Sequence, residues 1–276
     1  MTSSGPVYAL ECRDVRYSFN ETVAVDGVSL SVEQGEIFGM LGPNGAGKTT
    51  TIRAITAILP VPPGTISVFG LDVSRRKMAV RRLIGYVPQM LSADGALSGR
   101  ENVALFARLF DVPRRERAAR VDEAITIMGL TESADRPVRT YSGGMIRRLE
   151  LAQALVSSPR LLILDEPTIG LDPVGRAGVW ERIAEVRERT NMTVLITTHY
   201  MDEAEQSCDR VALMHRGQVR AVDTPAALIA GLGVEGATLD DVFRKYTGDD
   251  WQAAGEDRTG GLRDVRGTRR TARRVG

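Results

Sequence analysis

The run Gly42-Pro43-Asn44-Gly45-Ala46-Gly47-Lys48-Thr49 brings together the residue types that a nucleoside triphosphate site needs. Glycines let backbone N–H groups converge on phosphate oxygens, a lysine reaches the β and γ groups, and the hydroxyl after it is placed to bind Mg²⁺. On this reading Gly42, Asn44, Gly45, Ala46, Gly47, Lys48, Thr49 and Thr50 contact the nucleotide, and Thr49 is also a metal ligand. Lys48 stands out in composition too, because Lys77 and Lys245 are the only other lysines and every remaining basic residue is Arg. A second chemical cluster ends the run Leu161-Leu162-Ile163-Leu164-Asp165-Glu166. Two carboxylates at the carboxyl end of a buried strand lie where ligands bind in an open parallel sheet. Asp165 is expected to hold Mg²⁺ and Glu166 to polarise the attacking water.

These groups need elements to position them. Residues 36–41 read as a buried strand entering the glycine loop, and residues 50–59 as a helix leaving it, ended by Pro60. A helix N-terminus favours anions through its unpaired N–H groups and its dipole, so strand, loop and helix form one phosphate site. Residues 7–32 alternate in short stretches, which predicts antiparallel strands, and further strands are predicted at 64–69 and 84–87. Between Arg100 and Met128 the period becomes helical, with Val103, Phe106, Leu109 and Phe110 on one face, as an inserted helical subdomain would show. The charged run Arg114-Arg115-Glu116-Arg117 reads as a solvated helix face.

From Tyr141 onward a helix capped by Ser142, a strand at 161–164, a helix at 174–190 and a strand at 193–197 alternate, which predicts a parallel sheet flanked by helices. A hairpin across 211–219 and a helix from Pro225 follow. His199 directly follows the second buried strand, whereas His215 falls in the hairpin. The fold class is thus α/β: a phosphate-loop ATPase with a parallel-sheet core, an antiparallel β-subdomain and an inserted helical subdomain. Residues 1–225 form the nucleotide domain, with the helical part across about 90–156, residues 226–248 an extension, and the Arg-rich stretch 249–276 a tail that cannot build a core.

The chain has 276 residues, 26% of them charged, and a formal net charge of +1. That balance gives no global sign of a nucleic-acid partner, and none is expected. Cys12 and Cys208 have no CxxC spacing or nearby histidine and read as small buried hydrophobes. The first residues lack a secretory pattern and no apolar run reaches the roughly 18 residues of a bilayer span, so a cytosolic chain is expected.

The chain resembles, over nearly its whole length, the nucleotide-binding subunits of ATP-binding cassette (ABC) transporters. Tyr141-Ser142-Gly143-Gly144-Met145 is similar to the family signature LSGGQ, departing at Tyr141 and Met145 as the daunorubicin-resistance-type drug and polysaccharide exporters do. The resemblance implies ATP and Mg²⁺ as cofactors and a head-to-tail homodimer. In that dimer Ser142, Gly143 and Gly144 of one subunit close over nucleotide held by the other. It implies that Gln89 senses Mg²⁺ and the attacking water, that Asp172 touches the opposite subunit, and that His199 contacts the γ-phosphate. It also places Phe19 against adenine, with Tyr17 as the substitute. Lacking a span of its own, such a subunit requires a separate transmembrane permease, gripped between Gln89 and Tyr141 at the cytoplasmic membrane face. The implied work is ATP hydrolysis driving export of a drug-like or lipid-linked molecule. The alternative is a soluble ABC ATPase without a transport role. Residues 238–248 resemble the extension of the drug-export subgroup, and Leu239, Val242, Phe243 and Tyr246 form an amphipathic face for packing on the core, the plainer reading, or on a second subunit.

Overall fold

The computed structural model describes residues 8–90 and 92–248. The Arg-rich tail falls outside the described residues. In chain order the elements are β1 (Leu10–Phe19), β2 (Thr22–Val32), β3 (Ile37–Leu41), α1 (Lys48–Ile55), β4 (Ile66–Val68), β5 (Leu71–Asp72), α2 (Lys77–Arg81), β6 (Ile84–Val87), α3 (Gly99–Leu109) and α4 (Arg117–Ile127). They continue with α5 (Gly143–Leu155), β7 (Leu161–Asp165), α6 (Pro173–Thr190), β8 (Thr193–Thr198), α7 (Met201–Ser207), β9 (Arg210–His215), β10 (Gln218–Asp223), α8 (Pro225–Ala230) and α9 (Leu239–Thr247).

Two sheets result, one of order β2-β1-β4-β5 and one of order β10-β9-β3-β8-β7-β6. The first is antiparallel. In the second, β9, β3, β8, β7 and β6 run parallel, and β10 closes the edge as a hairpin with β9. Successive strand residues point to opposite faces, so a strand covered on both sides must be apolar throughout. β7 obeys this: Leu162 and Leu164 enter one core, and Leu161 and Ile163 the other. β3 divides the same way, with Ile37 and Leu41 on the helical side and Phe38 and Met40 facing α1 and the antiparallel sheet. Parallel register sets Leu41 opposite Thr198 and Asp165 opposite Thr197, which gathers the carboxyl ends of β3, β7 and β8 at one edge.

Between β6 and β7 lies the helical block of α3, α4 and α5. Ser98 starts α3 with a capping box closed by Glu101, and Ser142 caps α5 through Met145 N. The structure corrects four expectations. α1 ends at Ile55 rather than Leu59, because Ala57 turns left-handed and Arg81 binds the carbonyls of Thr56 and Ala57. Leu109 is exposed, its place in the buried face taken by Ala107. Arg114 and Arg115 occupy the turn before α4 rather than a helix face. Tyr246 is exposed, while Leu239, Val242 and Phe243 are buried in the main core.

Cys12 and Cys208 are buried and free, and burial pushes both thiols up to about 12, so they behave as small hydrophobes. No helix among the described residues is long and apolar enough to cross a membrane. Because Phe243 is enclosed by the main core, Phe243→Ala should destabilise the chain by about 3–5 kcal/mol in urea unfolding. An unchanged midpoint would mean that α9 contributes nothing to the fold.

Candidate functional site

The glycine loop joins β3 to α1, and two of its glycines are dictated by close approach. Gly42 has φ +156° and a Cβ there would lie 2.2 Å from the Met214 carbonyl oxygen; at Gly47, with φ +99°, it would lie 2.6 Å from the Ala24 carbonyl oxygen. Only glycine tolerates both the space and the left-handed backbone at Gly47. The loop therefore seats tightly on β9 and β2 and leads Lys48 and Thr49 into the first turn of α1.

Lys48 is buried, and its Nζ donates to the carbonyls of Gly42 at 2.6 Å and Pro43 at 3.3 Å. It also lies 3.1 Å from Glu166 Oε1, with both side chains close to 5% exposed. Glu166 Oε2 and His199 Nδ1 lie 2.8 Å apart, a hydrogen-bond distance. Burial, the largest influence on Glu166, raises its pKa, but the His199 hydrogen bond and the Lys48 ammonium reverse this and hold it below the ordinary 4.5. The carboxylate is thus ionised at neutral pH. Its contribution to stability is complete above 4.5 and is lost as pH falls through the lower folded-state value.

The neighbouring Asp165 Oδ1 accepts from Thr197 Oγ1 at 2.6 Å and from Thr49 Oγ1 at 3.3 Å. Thr197 also receives the Glu166 N–H, through its hydroxyl at 3.1 Å and its carbonyl at 3.1 Å. That anchorage holds Glu166 at φ +52°, a left-handed conformation that costs about 1–2 kcal/mol for a residue with a Cβ. The turn aims Glu166 toward Lys48 while Asp165 faces Thr49.

A cavity of about 330 Å³ is lined by Phe19, Asn44, Gly45, Ala46, Gly47, Lys48, Thr49, Thr50, Gln89 and Glu166 among others. Phe19, 43% exposed, presents its ring there beside Tyr17, whose centroid is 5.0 Å away; Tyr17 itself does not line the cavity. Ser142, Gly143, Gly144 and Asp172 do not line it either. They share another surface: Cβ atoms on Gly143 and Gly144 would meet Leu171 and Gly175, and Asp172 caps α6 by accepting from Gly175 N at 2.6 Å. A second cavity, of about 400 Å³, lies at the opposite ends of β7 and β8 among Ile127, Leu155, Val186 and Met192, without a glycine loop or acidic pair.

Two further clusters have no motif in the sequence. Glu203 Oε2 accepts from Thr168 Oγ1 at 2.7 Å and Trp180 Nε1 at 3.1 Å, and Arg176 stands 3.8 Å from its other oxygen and 4.4 Å over the Tyr200 ring. This joins the segment after Glu166 to α6 and to the start of α7. The other cluster is Thr197 itself, a β-branched strand residue whose hydroxyl serves both carboxylate positions. Because both carboxylate positions depend on it, Thr197→Val should cost about 1–3 kcal/mol in urea unfolding and slow nucleotide turnover. Native values for both would show that its hydroxyl is passive.

Comparison with known proteins agrees with this arrangement. The ABC transporter family profile matches residues 25–169. The chain is 44% identical over 225 residues to the Nod factor export ATP-binding protein I of Paraburkholderia xenovorans (strain LB400), covering 82% of this chain and 74% of that protein. It is 43% identical over 228 residues to the daunorubicin/doxorubicin resistance ATP-binding protein DrrA of Streptomyces peucetius, covering 83% and 69%. Among solved structures, cbiO1 of Clostridium perfringens, part of the ABC transporter complex cbiONQ, superposes with a TM-score of 0.75 at 32% identity, over 81% of this chain and 91% of that one. With a phosphate loop, an acidic strand end and a signature helix in one fold, and with these relatives, this chain belongs to the ABC transporter family as an ATP-hydrolysing subunit of the exporter type.

Proposed function

We propose that two copies of this chain close head to tail around ATP and, through a separate membrane subunit, drive export of a drug-like or lipid-linked molecule. The observation that carries the dimer is the separation of two anion-binding helix starts. The first turn of a helix leaves N–H groups without intrahelical partners. α1 presents such a start in the Lys48 cavity, and α5 presents another at exposed Ser142, on a surface shared with Asp172 and exposed Val174. A second copy supplies the partner for each.

In this reading Lys48 neutralises the β- and γ-phosphates and the ionised Glu166 accepts the proton of the attacking water. When Lys48 turns its charge to phosphate, Glu166 loses a group that lowers its proton affinity and becomes the stronger base. His199 keeps the carboxylate oriented through Oε2, and its role toward the nucleotide is a contact with the γ-phosphate. Phe19 offers adenine an aromatic face. Mg²⁺, when bound with the nucleotide, supplies charge neutralisation across the phosphate oxygens. The hydroxyl of Thr49 and the carboxylate of Asp165, 3.3 Å apart, fit that hard cation as oxygen donors, with Gln89 on the same cavity wall. The chain works at the cytoplasmic face, with its permease between Gln89 and Tyr141. The export reading draws on relatives named for Nod factor export and for daunorubicin/doxorubicin resistance.

Replacing Glu166 by Gln should keep ATP binding while turnover falls by about 10²-fold or more; full turnover would remove Glu166 as the base. The dimer is tested by mixing Lys48→Ala with Ser142→Arg protein, each inactive alone. A mixed head-to-tail dimer has one intact composite site, so activity should return, whereas sites complete within one chain would leave the mixture inactive. Capture of Glu166→Gln protein with ATP from native membranes should bring a multi-span subunit with it. Recovery of soluble partners alone would count against transport.

A further inference from the structure

Gln89 leaves the end of β6, and the backbone on both sides of it is bound by one helix that begins far away in sequence. Arg147, on α5, is 2% exposed. Its guanidinium donates to the Pro88 carbonyl at 2.8 Å, to the Gln89 carbonyl at 3.1 Å and to Glu150 Oε2 at 2.9 Å. The other oxygen of Glu150 accepts from Ser92 N at 2.5 Å and from Ser92 Oγ at 3.2 Å. Pro88, Gln89 and Ser92 are therefore gripped by a single ion pair. β6 itself lies flat on the same helix, since a Cβ on Gly85 would come 2.7 Å from the Ala154 carbonyl oxygen.

The chemistry suits positioning more than stability. A buried ion pair gains little over a well-packed apolar pair, because desolvating both charges offsets their attraction. Here burial lowers the Arg147 pKa and raises that of Glu150, the signature of that cost. What apolar side chains cannot reproduce is a planar fork that bonds two successive carbonyls and a carboxylate at once. The helix carrying this fork is the one whose first turn contains Gly143 and Gly144, capped by Ser142.

We propose that Arg147, oriented by Glu150, is a positioning residue that locks the backbone on either side of Gln89 to α5, so that engagement of Ser142 sets where Gln89 stands at the Lys48–Glu166 cavity. The inference rests on the reading that Gln89 acts in hydrolysis. A rigid link of this kind lets contact at the signature surface reach the reacting site without any side chain spanning the two.

The test is a mutant cycle on steady-state ATP hydrolysis. Arg147→Met/Glu150→Leu removes both charges together and so avoids stranding one in the core. It should lower kcat by about 10-fold or more, as loss of catalytic geometry does, with KM for ATP within about 2-fold. Gln89→Ala should slow the native protein yet add no more than about 2-fold in the Arg147→Met/Glu150→Leu background, because residues acting through one another are non-additive. Losses that multiply, or a change confined to KM, would overturn the proposal. If Gln89→Ala alone leaves kcat unchanged, the reading of Gln89 fails and the proposal falls with it. Should the double variant not fold, the same cycle with Arg147→Lys decides, because lysine keeps the charge and loses the fork.

Discussion

A charge removed from water has to be paired, and the structure depends on how Lys48 and Glu166 meet that demand. The two come from opposite halves of the chain and stand 3.1 Å apart with almost no exposure. Neither is tolerable there alone. Glu166 takes a second partner in His199 and Lys48 takes two loop carbonyls, while Glu166 Oε1 meets the Lys48 ammonium as an ion pair and has no hydrogen-bond partner. Such a pair is neutral overall yet holds both charges ready for a more highly charged ligand.

That pairing is possible only because β3, β7 and β8 end together. Parallel strands advance in step, so the register that sets Leu41 beside Thr198 and Asp165 beside Thr197 also brings the glycine loop, the two carboxylates and His199 to one edge. Sheet and site are the same constraint viewed at two scales. A slip of one residue would turn Asp165 into the apolar layer and Leu164 toward Thr49. The apolar residues 161–164 of β7, buried on both faces, resist that slip through burial, and Thr197 resists it through hydrogen bonds.

The helical block adds a second helix start, that of α5 capped by Ser142, which does not line the Lys48 cavity. α5 connects the two regions mechanically, with the signature at its N-terminus, the Arg147–Glu150 pair one turn on, and β6 packed along the rest. The Glu203 cluster provides a comparable tie on the other side, linking the segment after Glu166 to α6 and α7. Polar groups buried in a low-dielectric interior are costly when unmatched, so both clusters favour one arrangement of their elements over nearby alternatives.

Local chemistry determined much of this protein in advance. The glycine loop, the acidic strand end, the apolar runs 161–164 and 194–196 and the Ser142 cap are legible because each depends on neighbours within a few residues: backbone freedom, strand burial or helix capping. The end of α1 was not legible, since Arg81 from another element takes its last carbonyls. Nor was the exposure of Leu109 and Tyr246, because helical periodicity marks a face without showing where that face runs out of partners. Thr197, Glu203 and the Arg147–Glu150 pair carry no motif at all. Their partners lie in other elements or across a loop, and a residue's type reveals that it needs hydrogen bonds without revealing which groups will supply them. Residue type and spacing thus decided which chemistry the chain could hold. Tertiary structure alone decided which charges neutralise one another and which two helix starts a single chain keeps apart, because those outcomes follow from strand register and packing between distant segments.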